Sequence, residues 1–185
     1  MWAVFGSIVK SALDIYSISF KGLSLGKHSF NFVLDDAFFH EFEEGEVKHG
    51  QLNVDVVLFK QNHLMEFGCS IKGTVEVTCD RCLEPFSLPI SYKGTLYVKV
   101  GADKTDVDDD IILLTEEEHE INLAQYFYES TCLSIPISRY HGLNGTKLAD
   151  CDAEMLARMS NETDIEAEQD SIDPRWAKLQ EISKN

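Results

Sequence analysis

The sequence predicts an α+β domain. It would be an antiparallel β-meander or partly closed barrel with a covering helix and a mobile acidic C-terminal segment ending in a short helix. Three observations carry this expectation. Strand-like alternation recurs from Ile15 to Val100, broken by short polar turns. One aromatic-rich apolar stretch, Leu123 to Tyr128, has helical spacing instead. After Gly142 the chain turns acidic and poor in aromatics. These features divide it into a β-rich domain, residues 1–148, and an acidic segment, residues 149–185.

Met1 to Leu13 reads either as a short helix packing Trp2, Phe5 and Val9 or as a disordered start. Ile15 to Phe20 alternates as a strand, and Gly22 to Gly26 is a turn. His28 to Leu34 forms a second strand with Phe30, Phe32 and Leu34 on one face. Asp35 has the side chain of an N-cap, and Ala37, Phe38 and Phe42 follow at helical spacing. Leu52, Val54, Val56 and Leu58 alternate in a strand from Gln51 to Lys60. Leu64 to Ile71 and Thr74 to Cys79 read as two further strands, with Lys72-Gly73 as the turn between them. Short strands joined by short turns imply an antiparallel meander with one buried face.

Phe86 to Tyr92 resumes the apolar alternation after Pro85, and Ile90 to Val100 adds a long strand. Gly101 to Asp110 is an aspartate-rich loop, and Ile111 to Leu114 a short strand. Asn122 caps the aromatic helix, which would cover the sheet. Asp173-Pro174 opens a terminal helix with Trp176, Leu179 and Ile182 on roughly one face. A helix this short is marginal alone, so it needs a surface on this domain or on a partner.

The charge is the unusual total. Asp plus Glu number 32 against 16 Lys plus Arg, a net charge of -16. That field repels phosphate backbones and attracts basic proteins. A local basic patch could still touch RNA, but no Lys/Arg cluster in the sequence predicts one. No apolar run reaches the length of a membrane span, and no secretory signal is evident near Met1. The five cysteines are an odd set, which argues for a reducing, cytoplasmic setting and against a disulfide framework.

Cys79 and Cys82 flank Asp80 and Arg81 at the tip of a strand-turn-strand pattern, the geometry of half a zinc site. His141 and Cys151 are candidates for the other half, giving a Cys3His set. Zinc takes tetrahedral sulfur and nitrogen ligands, and a closed set leaves no position for a reacting water. Such a site supports structure more than catalysis. A thioredoxin-like role would need the cysteine pair at a helix N-terminus, and Pro85 with the strand after it does not provide that. Cys69 and Cys132 sit in strand and helix patterns and read as small buried hydrophobes. His28, His40, His49, His63 and His119 are scattered and read as solvated or packed. No nucleophile–base pair, phosphate loop or carboxylate dyad stands out.

Three blocks resemble the YceD family, the large ribosomal RNA subunit accumulation proteins. They are Cys79-Asp80-Arg81-Cys82-Leu83-Glu84-Pro85-Phe86, Ile135-Pro136-Ile137 leading to His141 and Cys151, and Asp173-Pro174-Arg175-Trp176-Ala177-Lys178-Leu179. The loop from His141 to Cys151 is longer than the family's. The resemblance implies a part in accumulation or processing of large-subunit ribosomal RNA, and it supplies no catalytic residues. It also favours the four-ligand zinc site.

Two function classes follow. One is a non-enzymatic assembly factor that binds a ribosomal protein or a precursor particle, with Arg81 and Trp176 as candidate contact residues. The other is a metal-dependent hydrolase acting on RNA, which needs three protein ligands and an open water position. A β-domain with reduced thiols and no metal is the plain alternative.

Overall fold

The computed structural model describes residues 12–42, 44–101 and 111–162. The residues expected to form a terminal helix around Trp176, those of the aspartate-rich stretch and the first eleven lie outside them. The elements run β1 (Ser17–Ser19), β2 (Gly26–Leu34), α1 (Asp36–His40), β3 (Gly50–Lys60), β4 (Leu64–Thr78), β5 (Pro85–Val100), β6 (Ile111–Leu114), β7 (Glu120–Asn122), α2 (Ala124–Ser134) and α3 (Ala153–Glu162).

Strands β2 to β5 form the expected antiparallel meander, and β6 completes a five-stranded sheet in the order β2-β3-β4-β5-β6. The described strands do not close into a barrel: β2 and β6 are its two edges. Alternation decides which side is inside. Leu52, Val54, Val56 and Leu58 of β3 are buried, as are Met65, Phe67, Cys69 and Ile71 of β4. Helix α2 covers this face as the sequence suggested, burying Ala124 and Phe127. The Phe127 ring lies 5.5 Å from Phe32 and 6.3 Å from Tyr16, and Tyr16 packs edge-on against Phe38 at 4.9 Å. Asp35 caps α1 as read, its carboxylate accepting from the Phe38 N–H at 3.2 Å.

Four readings need correction. The turn assigned to Lys72-Gly73 is absent: β4 runs unbroken through it, with Gly73 opposite Leu52 and Ile90. Gly73 has φ +153, and a Cβ there would stand 2.1 Å from the Gln51 carbonyl oxygen. The glycine marks a close approach of strands, which looks like a break in a sequence pattern. Phe86–Tyr92 and Ile90–Val100 likewise fuse into one sixteen-residue strand. Pro89 is tolerated there because β6 pairs only with Tyr97 to Val100, leaving that part of β5 at an edge. Third, β6 runs parallel to β5, so the sheet is not purely antiparallel. Finally, Glu120–Asn122, of which only Asn122 is assigned from sequence, as a helix cap, is a strand paired with β1. The Asn122 side chain still accepts from the Ala124 N–H at 2.9 Å at the start of α2.

Candidate metal centre

The β4–β5 hairpin ends in a tight knuckle. The last ladder pair is Thr78 with Pro85, and the Cys79 N–H adds a bond to the Glu84 carbonyl at 2.9 Å. The Leu83 N–H then turns back to the Cys79 carbonyl at 2.9 Å. Closing the turn puts Leu83 at φ +63, left-handed backbone that a branched side chain adopts at a cost of about 1 kcal/mol. The result turns both thiols inward while Asp80, Leu83 and Glu84 face solvent.

His141 arrives by a second route. After α2 the chain turns extended at Ile135 and docks on the knuckle. The Asp80 N–H donates to the Arg139 carbonyl at 2.7 Å, and the Arg139 N–H donates to the Asp80 carboxylate at 2.6 Å. The Arg81 guanidinium sits over the Tyr140 ring, 4.2 Å from its centroid. Arg139 also pairs with Glu46. Residues on both sides are thereby held, and the next side chain, His141, is buried with its ring 4.6 Å from Phe86. Its Nδ1 lies 3.6 Å from Cys82 Sγ.

The loop that follows folds the chain back. Gly142 takes φ +100, a conformation that suits glycine. Its N–H donates to the Thr146 hydroxyl at 2.8 Å, and the Asn144 side chain donates to the Pro89 carbonyl at 3.0 Å on the open edge of β5. A last tight turn, Leu148–Asp150, places Cys151 inside, 6% exposed. Asp152 then caps α3 by accepting from the Glu154 and Met155 N–H groups.

Cys79, Cys82, His141 and Cys151 thus converge, all buried, with donor atoms within 4.8 Å of one another. A tetrahedral zinc–sulfur site with bonds of about 2.3 Å sets its sulfurs about 3.8 Å apart, so the spacing fits. The electrostatics fit as well. Burial raises the Cys79 thiol, but the backbone N–H groups of Cys82, Arg81 and His141 outweigh it and bring the pKa down to about 6. Cys151 is pushed up to about 12 by burial, by its hydrogen bonds to Cys82 and Cys79, and by repulsion from the same two sulfurs. The Cys151 and Cys79 sulfurs thus oppose each other's ionisation, and a divalent ion held between them would relieve that repulsion. The cluster could therefore hold a metal ion.

The other residues singled out from sequence have different surroundings. Cys69 is buried under the sheet, its thiol raised to about 12 by desolvation, and Cys132 is half-buried on α2. His40 and His49 meet edge-on at 5.3 Å and share Asp36, while Lys21 lies 3.0 Å from His119. Arg81 spends its guanidinium on Tyr140, and Trp176 is outside the described residues. Sequence reasoning missed Asp80 and Arg139, which bind the two halves of the centre together. A short acid inside a turn was the available sign for Asp80. Nothing local marked Arg139.

A family model described as Large ribosomal RNA subunit accumulation protein YceD matches residues 67–183, which include all four donors and the knuckle. No curated protein and no solved structure matches the chain significantly.

Proposed function

Because the chain belongs to the YceD family, we propose that it is a non-enzymatic assembly factor in the accumulation or processing of large-subunit ribosomal RNA. It would act in the cytoplasm by binding a ribosomal protein or a precursor particle. The family description carries the link to the large subunit. The closed Cys3His cluster is the observation that carries the non-enzymatic part. Cys79, Cys82, His141 and Cys151 would hold zinc with four protein donors, which ties the 139–151 segment to the β4–β5 knuckle. Bound there, the ion supplies structural crosslinking and no reacting water. The acidic character of the chain, -16 overall, favours basic ribosomal proteins as partners.

Two measurements test this. Tagged protein is expected to sediment with large-subunit precursors at low salt; confinement to the light fractions would end the assembly reading. X-ray absorption on metal-loaded protein is expected to show three sulfurs and one nitrogen. Three protein ligands plus a water would favour a hydrolase instead.

A further inference from the structure

The acidic chain carries one face on which bases and acids nearly balance, with bases slightly ahead. The register of β2 to β5 sets one side of every strand toward solvent, away from the core. Lys27, Lys72, Lys93 and Lys99 stand on that side, against Asp55, Glu66 and Glu76. The chain has twice as many acids as bases, 32 against 16, yet this face has four bases and three acids. The excess of acids lies elsewhere in the chain. One acid here, Asp55, is further engaged by the Asn31 side chain on the neighbouring strand.

The same side carries two exposed aromatics. Phe59 of β3 and Tyr97 of β5 are 45% and 40% exposed and both pair with Glu66, so they lie two strands apart in one row. Two strand spacings are about 9.5 Å. Between Lys27 and Lys93 the face sinks into an open depression of about 500 Å³ that includes Gly68. Gly68 has no steric reason to be glycine. Its φ is not in the left-handed range, and a Cβ would meet only the Val57 carbonyl at an ordinary 3.7 Å. Gly94 differs, because a Cβ there would collide with the Tyr92 side chain at 2.3 Å. A mid-strand glycine without an internal cause weakens the strand, and close approach of a ligand is one reason to keep such a glycine.

We infer that the solvent face of the β2–β5 sheet, centred on the Gly68 depression, binds single-stranded RNA. Phe59 and Tyr97 offer faces on which unstacked bases lie, and the lysines on either side of the depression meet phosphates. The Ser29, Ser70 and Thr95 side chains on the same face supply neutral hydrogen-bonding groups. A duplex does not expose base faces, so it fits this surface poorly. The ribosomal RNA as biological source rests on the assembly-factor reading. The binding itself does not.

Fluorescence anisotropy of a labelled twelve-nucleotide mixed-sequence RNA with full-length, metal-loaded protein tests it. Binding at low salt is expected, weakening as salt rises with a slope no steeper than four phosphate contacts allow, about −3. Gly68→Leu fills the depression without changing charge and is expected to weaken binding at least tenfold. Lys93→Glu and the double change Phe59→Ala/Tyr97→Ala should do the same, and duplex RNA should bind at least tenfold more weakly. Both Gly68 and Lys93 face solvent, and unchanged circular dichroism and metal content confirm the fold of each variant. Absence of binding, indifference to Gly68→Leu and Lys93→Glu, or equal competition by an acidic peptide overturns the inference. If RNA binding fails while sedimentation with precursors persists, this face is excluded and the assembly reading stands.

Discussion

The knuckle end and the aromatic core beneath the sheet solve the same problem with different means. Under the sheet, Phe39, Phe67 and Phe127 are fully buried, and rings from β2, α1 and α2 interlock. Apolar burial at about 25 cal/mol per Å² is enough there. At the other end the residues between the two cysteines are polar, Asp80 and Arg81, and the loop from Gly142 to Asp150 has little to bury. Its fixed points are a few hydrogen bonds and four converging donor atoms. Order in one region is distributed over many contacts. In the other it is concentrated in a handful, so single changes should act locally and sharply.

The largest effect expected is from Cys82→Ser. Metal binding by such donor sets is worth about 10–16 kcal/mol in finger peptides, so losing a ligand should abolish stoichiometric metal. Hydrogen exchange should then speed up across 139–156 while β3 and β4 stay protected. Uniform loss of protection through the whole sheet would show that the two regions are one cooperative unit. Next comes Phe127→Ala, expected to cost about 3–5 kcal/mol in denaturant unfolding with metal content unchanged. Metal lost in parallel would erase the distinction from the opposite side.

Thiol chemistry in metal-stripped protein sharpens the contrast. Cys79 falls from 9.0 to about 6, so its thiolate is favoured by the fold. Its contribution to stability is present above pH 9 and is lost as the pH falls through about 6. Cys69 rises from 9.0 to about 12, so its contribution is complete below pH 9 and fades as the pH climbs through 12. At pH 7.5 a small alkylating reagent should modify Cys79 well before Cys69, as peptide mapping would show; equal rates would contradict this electrostatic picture.

Smaller effects probe the knuckle itself. Asp80→Ala removes the acceptor for the Arg139 N–H and should loosen the 139–151 segment by about 1 kcal/mol, read as faster local exchange. Leu83→Gly relieves the left-handed backbone and should slow metal release slightly, a gain of about 0.5–1 kcal/mol. Faster release would mean that the Leu83 side chain, although 66% exposed, holds the turn.

Much of this was readable from residues alone. The alternations of β2 and β3, the cap at Asp35, the covering helix and the thiol pair each depend on neighbours within a few positions, where side-chain period and capping chemistry leave few options. Gly73 misled because a glycine forced by another strand's carbonyl is indistinguishable in sequence from one that makes a turn. The parallel placement of β6 and the pairing of Glu120–Asn122 with Ser17–Ser19 hid for a related reason: three- and four-residue strands carry too little pattern to name their partners.

His141 and Cys151 were nominated by residue type and family likeness, and only the three-dimensional chain showed that Asp80, Arg139 and Asn144 steer them to the knuckle. Charge divides the same way. The sequence fixes a total of -16, whereas the pleat and register decide which side chains share a face, and so where lysines gather. Local composition sets what a segment can be, but distances between segments arise only when the whole chain closes on its core.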